Sequence, residues 1–101
     1  MAVYEAEREV NLPADQAFDF VEQKLIQAGF KNVQVLRTRN MIRAEKRTFG
    51  QWTKSPIEVS IVATPSGGSI ILASAMATAQ SLSSGNPARR MVDDFMRVLG
   101  S

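Results

Sequence analysis

Few side chains in this sequence could carry out acid–base or nucleophilic chemistry. Histidine and cysteine are both absent, so the usual proton-transfer residue at neutral pH and every thiolate nucleophile are missing. Asp93 and Asp94 are adjacent on a predicted helix, where their side chains point about 100° apart and cannot form an opposed carboxylate pair. Ser81, Ser83 and Ser84 have no histidine partner, although a serine–lysine arrangement stays open. We therefore expect no catalytic residues and a protein that is not an enzyme.

Metal and cofactor sites are also poorly supported. Without histidine or cysteine, a transition-metal site would depend on carboxylates alone, and no Asp/Glu cluster has the spacing of a metal-binding loop. The segment 66–69, Ser-Gly-Gly-Ser, lacks the lysine and the following helix of a phosphate-binding loop and indicates a hairpin turn. We expect neither a metal nor a cofactor.

Charge is distributed unevenly along the chain. Residues 1–30 contain two basic and six acidic residues, a balance of −4, whereas residues 31–54 contain seven basic residues and one acidic residue, a balance of +6. Arginines beside aromatic side chains are typical of proteins that bind single-stranded nucleic acid, but no motif of a known RNA-binding domain is present. An anionic protein surface, or the acidic strand of a second copy of the chain, is at least as good a partner. The residues expected to bind an anion or an acidic partner are Arg37, Arg39, Arg43, Arg47, Phe49 and Lys54.

The candidate residues above are held in place by predicted helices and strands. The clearest of these elements is an amphipathic helix between Leu12 and Phe30. Pro13 suits the first turn of a helix, and Gly29 suits a left-handed end. Apolar residues recur at steps of three and four, namely at Ala14, Phe18, Val21, Leu25 and Ala28. Acidic and amide side chains fall largely on the other side, so we expect this helix to lie across a sheet.

Strands are predicted before and after this helix. Residues 3–10 alternate, and the three glutamates on one face suit the edge of a sheet. Two strands between residues 33 and 49, the first reaching residue 39, are joined by a tight turn near Asn40, a residue type that tolerates a positive φ angle. A two-residue turn would pair Val35 with Ala44, whereas a three-residue turn would pair Leu36 with Ala44, and the pattern leaves both registers open.

The second half of the chain predicts two more strands and a second helix. Residues 57–64 alternate, whereas residues 69–79 are apolar or small on both faces and therefore belong inside a sheet. The alanines of that second strand would let a helix or another backbone approach closely. Asn86 and Pro87 look like the start of a helix whose apolar side runs to Leu99.

The element order is β-α-β-β-β-β-α, and we expect a single α+β domain over residues 1–101, with one curved antiparallel five-stranded sheet packed by two helices. The junction 10–18, Val-Asn-Leu-Pro-Ala-Asp-Gln-Ala-Phe, resembles the strand-to-helix entry of the START and Bet v 1-like helix-grip superfamily. The chain is shorter than members of that family by about two strands and the small second helix. The same order is similar to the TATA-binding-protein-like fold. Both resemblances imply the strand order 1-5-4-3-2.

The helix-grip resemblance implies a ligand pocket between the sheet and the C-terminal helix. Methionine and aromatic side chains form adaptable apolar pockets, and the residues expected to line this one are Trp52, Met76, Met91, Phe95 and Met96. A packed core is the competing interpretation, because a chain of this length needs large side chains to fill its interior.

The expected function is a non-enzymatic binding or interaction module, for a small apolar ligand or for a protein partner. The alternative is binding of nucleic acid or an anionic partner through the basic hairpin and loop of residues 37–54, and a small hydrolase or cyclase-like enzyme of the helix-grip kind is a third hypothesis. Self-association into a dimer through edge strands of opposite charge is a further hypothesis. We expect a cytoplasmic protein without membrane contact, because no signal peptide and no run long enough to span a bilayer is present.

Overall fold

The structure is a computed structural model and describes residues 2–46, 55–77 and 87–100. Its strands are β1 (Ala2–Val10), β2 (Lys31–Leu36), β3 (Met41–Lys46), β4 (Ser55–Ala63) and β5 (Ser69–Ala77), and its helices are α1 (Ala14–Gln27) and α2 (Pro87–Leu99). A short 3-10 turn, Arg37–Arg39, joins β2 to β3. The predicted element order is confirmed.

The five strands form one antiparallel sheet in the order β1-β5-β4-β3-β2. The predicted α+β class and strand order are therefore confirmed. β5 lies between β1 and β4, as expected for a strand that is apolar or small on both faces. β1 and β2 are the two edges, and the sheet does not close on itself.

Helix α1 begins and ends where proline and glycine allow. The carbonyl group of Pro13 accepts a hydrogen bond from the amide of Ala17 at 2.8 Å. At the other end Gly29 has a φ angle of +93°, and the amide of Phe30 donates to the carbonyl of Leu25 at 3.0 Å. This is the left-handed ending that glycine favours, and it turns Phe30 back into the core, where it is buried.

The hydrophobic core lies between the two helices and one face of the sheet, which we call the covered face. Helix α1 packs over β2, β3 and β4, and α2 packs over β1, β5 and β4. The strands contribute Ile42, Ala44, Ile57, Val59, Ile61, Ile71, Ala73 and Ala75. The helices contribute Ala17, Phe18, Val21, Leu25, Ala88, Met91, Val92, Phe95 and Leu99. As predicted, the small alanines of β5 are buried on the face where α2 packs.

The β2–β3 hairpin differs from both predicted registers. Val35 pairs with Ile42 and Leu36 pairs with Met41, so neither Val35 nor Leu36 faces Ala44. The predicted first strand also extended too far, because it ends at Leu36. Both errors have one cause, because the connection spans residues 37–40 and therefore begins two residues earlier than either of the turns considered.

That connection consists of the 3-10 turn and Asn40. Asn40 has a φ angle of +54° and ends the turn, and its amide donates to the carbonyl of Arg37 at 3.1 Å. The predicted positive φ angle is confirmed. Asn32 also has a φ angle of +54°, at an irregularity in the pairing between Lys31 and Gln34.

Candidate interaction surface

No described helix covers the second face of the sheet, which we call the open face. Several large apolar side chains on this face are exposed. Val3 and Val62 are each 56% exposed and Met76 is 51% exposed; the fourth exposed large apolar residue of the described chain, Ile26, lies on α1. Isolated exposed apolar residues are normal, whereas a contiguous patch marks a binding surface.

The apolar residues of the open face are neighbours in the sheet. Met76 pairs with Val3, and Ile70 pairs with Val62. Between these two pairs, Leu72 lies on the same face of β5, because residues two apart on a strand share a face. We call the whole set the open-face patch: Val3, Leu36, Met41, Val62, Ile70, Leu72 and Met76. Four of its members are half-buried, namely Leu36, Met41, Ile70 and Leu72.

An acidic row borders the open-face patch along the β1 edge. It consists of Glu5, Glu7 and Glu9, all exposed. Glu7 pairs with Leu72 and Glu9 with Ile70, so a row of carboxylates on β1 lies beside a row of apolar side chains on β5. Within the described residues, none of these three carboxylates forms an ion pair. The arrangement can bind cationic groups next to apolar ones.

The residues predicted to line a ligand pocket are divided between the two faces. Met91 and Phe95 are fully buried in the core beneath α2, and Met96 is half-buried at its margin. Met76 belongs to the open-face patch, because its neighbour Ala75 points into the core. Trp52 lies outside the described residues. The structure therefore brings Met91 and Phe95 together and separates Met76 from them.

The basic residues of the predicted anion-binding segment are divided as well. The guanidinium group of Arg37 lies 3.4 Å from a carboxylate oxygen of Asp19 and 4.9 Å from the centre of the Phe18 ring, which holds it against α1. Arg43 lies on the open face, paired across the strands with Glu58. Arg39 is exposed in the 3-10 turn. Arg47, Phe49 and Lys54 lie outside the described residues.

Lys46 was not singled out in the sequence, yet it connects three elements. Its ammonium group donates to the carbonyl of Ala28, at the end of α1, at 2.9 Å. The same group lies 3.4 Å from a carboxylate oxygen of Asp94 on α2 and 5.2 Å from the centre of the Phe30 ring. A cation at the carbonyl end of a helix is favourable. Alternation places Lys46 on the covered face, which is the only signal that could have identified it.

The two aspartates on α2 have structural partners. Asp93 accepts a hydrogen bond from the Tyr4 hydroxyl at 3.3 Å and forms an ion pair with Arg89 at 3.5 Å. Asp94 binds Lys46 and Arg97. These contacts join α2 to β1 and β3 and give both carboxylates a partner. The serines of residues 81–84 lie outside the described residues.

The part of the chain that the structure describes contains neither a metal-binding cluster nor a membrane-spanning helix. No group of three or more acidic side chains there is arranged to hold a metal ion. None of its helices has the length and apolar character needed to cross a membrane.

The two edges of the sheet differ in charge less than the sequence suggested. β1 carries the acidic row, whereas Lys31 is the only charged residue of β2, because Arg37 and Arg39 lie beyond the end of that strand. The irregular pairing near Asn32 also interrupts the β2 edge. Irregular edges resist strand addition. The charge complementarity that suggested edge-to-edge pairing is therefore weaker than expected.

The α+β fold of the chain is shared with proteins of solved structure. Protein MLL2253 from Mesorhizobium loti superposes with a TM-score of 0.64 at 12% identity, covering 97% of this chain and 93% of that one. TTHA0849 from Thermus thermophilus gives a TM-score of 0.53 at 11% identity, with 97% and 94% covered. DR_A0006 from Deinococcus radiodurans gives 0.50 at 13% identity, with 96% and 93% covered. No protein-family model and no curated protein matches the sequence. At these identities the similarity concerns the fold alone.

Proposed function

We propose that this protein is a non-enzymatic interaction module that binds a protein partner through the open face of its sheet. One observation carries the proposal: three of the four exposed large apolar side chains of the described residues, Val3, Val62 and Met76, lie on that face. Exposed apolar surface is unfavourable in water, and a partner that covers it gains about 25 cal/mol per Å² of buried apolar area. A protein surface is a partner large enough for a patch whose residues lie on all five strands.

A small apolar ligand in the covered face is the less favoured form of this proposal. Met91 and Phe95, which would line such a pocket, are fully buried against their neighbours. Side chains packed at the density of a protein interior leave no volume for a ligand without rearrangement. The strand order supports a short helix-grip or TATA-binding-protein-like fold. A cytoplasmic location is also part of the proposal.

Nucleic-acid binding through residues 37–54 also stays a prediction. The contacts of Arg37 with Asp19 and Phe18 place its guanidinium group against α1, whereas Arg43 lies on the open face. A shared phosphate-binding surface would need both groups on one side. Fluorescence of Trp52 tests this alternative, since a salt-sensitive change with oligonucleotides would support it and an unchanged spectrum would contradict it.

A peptide library displayed on phage and selected on the purified protein tests the proposed function. We expect the enriched peptides to bind the wild type and to lose at least about tenfold in affinity on Val62→Glu and on Met76→Glu, a difference of about 1.4 kcal/mol. Both side chains are more than half exposed, so the variants should fold, and a thermal melt by circular dichroism checks this.

Ile26→Glu is the matched control for this experiment. Ile26 is 58% exposed, and like Val62 and Met76 it is replaced by glutamate. Unlike them, Ile26 lies on α1, away from the open face. We expect its affinity for the peptides to change less than about twofold, which corresponds to about 0.4 kcal/mol. Equal losses on Ile26→Glu and Val62→Glu, or peptides that do not discriminate between them, would refute the open face as the binding surface.

Dimerisation through the sheet edges is a separate proposal, supported by the positions of β1 and β2 at the two edges. Sedimentation at high protein concentration tests it. A dimer that dissociates as salt is raised would support pairing through charged strands, because salt screens exposed charges. A monomer at every salt concentration would exclude this mode of association.

A further inference from the structure

The chemistry of the partner follows from the acidic row, Glu5, Glu7 and Glu9, which lies directly beside the open-face patch. The cross-strand neighbours of Glu7 and Glu9 are Leu72 and Ile70, so each of these carboxylates is next to an apolar side chain. In the described chain the three carboxylates have no cationic partner. As far as the described residues are concerned, these charges are available to a partner, and they favour one that carries positive charge.

The spacing of the acidic row matches an α-helix. Successive glutamates are two residues apart on a strand, so Glu5, Glu7 and Glu9 are separated by steps of about 7 Å. Side chains four residues apart on a helix are separated by about 6 Å along its axis. Lysine or arginine side chains are long enough to absorb the difference. A helix lying along β5 would thus place cations at i, i+4 and i+8 over the acidic row.

The same helix could also cover the apolar side chains of β5. Ile70, Leu72 and Met76 extend along β5 for about 20 Å, the length of a helix of about 13 residues. A helix covers a sheet by placing an apolar side on it, which is how α1 and α2 cover the opposite face of this sheet.

We infer that the open face binds a basic amphipathic helix of a partner protein, with its apolar side on Ile70, Leu72 and Met76 of the open-face patch and its Lys or Arg residues on the acidic row. This inference rests on the proposed function and specifies the partner. The carboxylates select positive charge, and the apolar side chains supply contact area. The row lies on one side of the patch only, so it also orients the helix.

Two other occupants fit less well. A second copy of this chain offers no such helix among its described residues, because the apolar sides of α1 and α2 are buried in its own core. A membrane surface is disfavoured because the acidic row would be repelled by anionic headgroups, which attract basic segments instead.

A designed peptide of 18 residues tests the inference, with leucines on one side and lysines at i, i+4 and i+8 along one border. Its affinity is measured by fluorescence anisotropy against the wild type and against the triple variant Glu5→Gln/Glu7→Gln/Glu9→Gln. We expect the triple variant to bind about tenfold more weakly, a change of about 1.4 kcal/mol. The same peptide with glutamates in place of its lysines should not bind.

A second triple variant, Asp15→Asn/Asp19→Asn/Glu22→Gln, removes the same charge from α1 and is the matched control. We expect it to lower the affinity less than about twofold. Amide chemical-shift changes should fall on β1, β5 and β4 rather than on the helices. Equal losses in both triple variants, or shifts confined to the helices, would show nonspecific attraction and overturn the inference.

The two proposals can fail separately. If phage selection yields peptides that depend on Val62 and Met76 but are neutral or acidic, the interaction surface stands and the basic helix is wrong. If no selected or designed peptide depends on Val62 or Met76, both proposals are wrong.

Discussion

The hydroxyl group of Ser69 donates a hydrogen bond of 2.7 Å to the main-chain carbonyl oxygen of Leu12. Ser69 is the only buried polar residue of the described chain, and it lies at the start of β5. Leu12 lies in the connection between β1 and α1. This single contact therefore ties the segment that leads into α1 to the first residue of β5.

Replacing Ser69 by alanine should destabilise the protein. The carbonyl of Leu12 would lose its partner in a site where water has little access, which costs about 1–3 kcal/mol. Chemical denaturation measures the change in the free energy of unfolding. Ser66→Ala is the control, because the Ser66 hydroxyl bonds Thr64 at 2.9 Å on the exposed hairpin, and its loss should cost less than about 0.5 kcal/mol. Equal effects would show that the Ser69–Leu12 bond contributes nothing special.

The two glycines of the β4–β5 hairpin should respond differently to alanine. A Cβ atom at Gly68 would lie 2.6 Å from the carbonyl oxygen of Val10, so the backbone must shift. Gly67 has a φ angle of +89° but open space around it, and alanine there costs only the conformational strain of about 1 kcal/mol. We expect Gly68→Ala to cost more, about 1–3 kcal/mol by overpacking. A melting temperature lower for Gly67→Ala than for Gly68→Ala would contradict this order.

A double-mutant cycle should reveal coupling between Lys46 and Asp94. Their side chains are 22% and 34% exposed and the charged atoms lie 3.4 Å apart. With Lys46→Met and Asp94→Asn, we expect a coupling energy of about 0.5–1 kcal/mol, decreasing as salt is added. Lys46→Met alone should cost more than this coupling, because the carbonyl of Ala28 also loses its donor.

Arg37 and Asp19 provide the comparison for that cycle. Their charged atoms are also 3.4 Å apart, but the side chains are 53% and 72% exposed. Solvent screening should reduce the coupling in Arg37→Met/Asp19→Asn to about 0–0.5 kcal/mol. A larger coupling at this pair than at Lys46 and Asp94 would show that burial does not control the strength of these pairs.

Alanine substitutions of two methionines, one in the core and one on the open face, should differ in their effect on stability. Met91 is fully buried, so Met91→Ala removes packed volume and should lower the free energy of unfolding by about 2–5 kcal/mol. Met76 is half exposed, and Met76→Ala should change it by less than about 0.5 kcal/mol. Urea denaturation of both variants measures the difference. A near-neutral Met91→Ala would instead indicate a loosely packed site beneath α2, as the ligand-pocket hypothesis requires.

The strength of local patterns explains which predictions of the fold were correct. The three- and four-residue spacing of apolar side chains between Pro13 and Gly29 predicted α1, and both of these residues lie at its ends. The side chains of 69–77 are apolar or small on both faces, which predicted a strand inside the sheet. In each case the information lies within a few neighbouring residues, which is why the sequence alone was sufficient.

The open-face patch was harder to predict, because it depends on which face of the sheet the helices cover. Met76 was grouped with Met91 and Phe95 on chemical type, although strand alternation places Met76 opposite its buried neighbour Ala75. The large side chains of β5 on the open face were visible in the sequence, but no local signal showed that the described helices would both pack on the other side.

By itself, the sequence determined the order of the elements, the ends of α1, the interior position of β5 and the absence of histidine and cysteine chemistry. Only the tertiary structure decided the register of β2 against β3, the tether from Lys46 to both helices and the exposure of Val62 and Met76. The first set follows from local periodicity and turn chemistry. The second depends on the position and length of one connection and on the packing of distant segments, neither of which a pattern of neighbouring residues specifies.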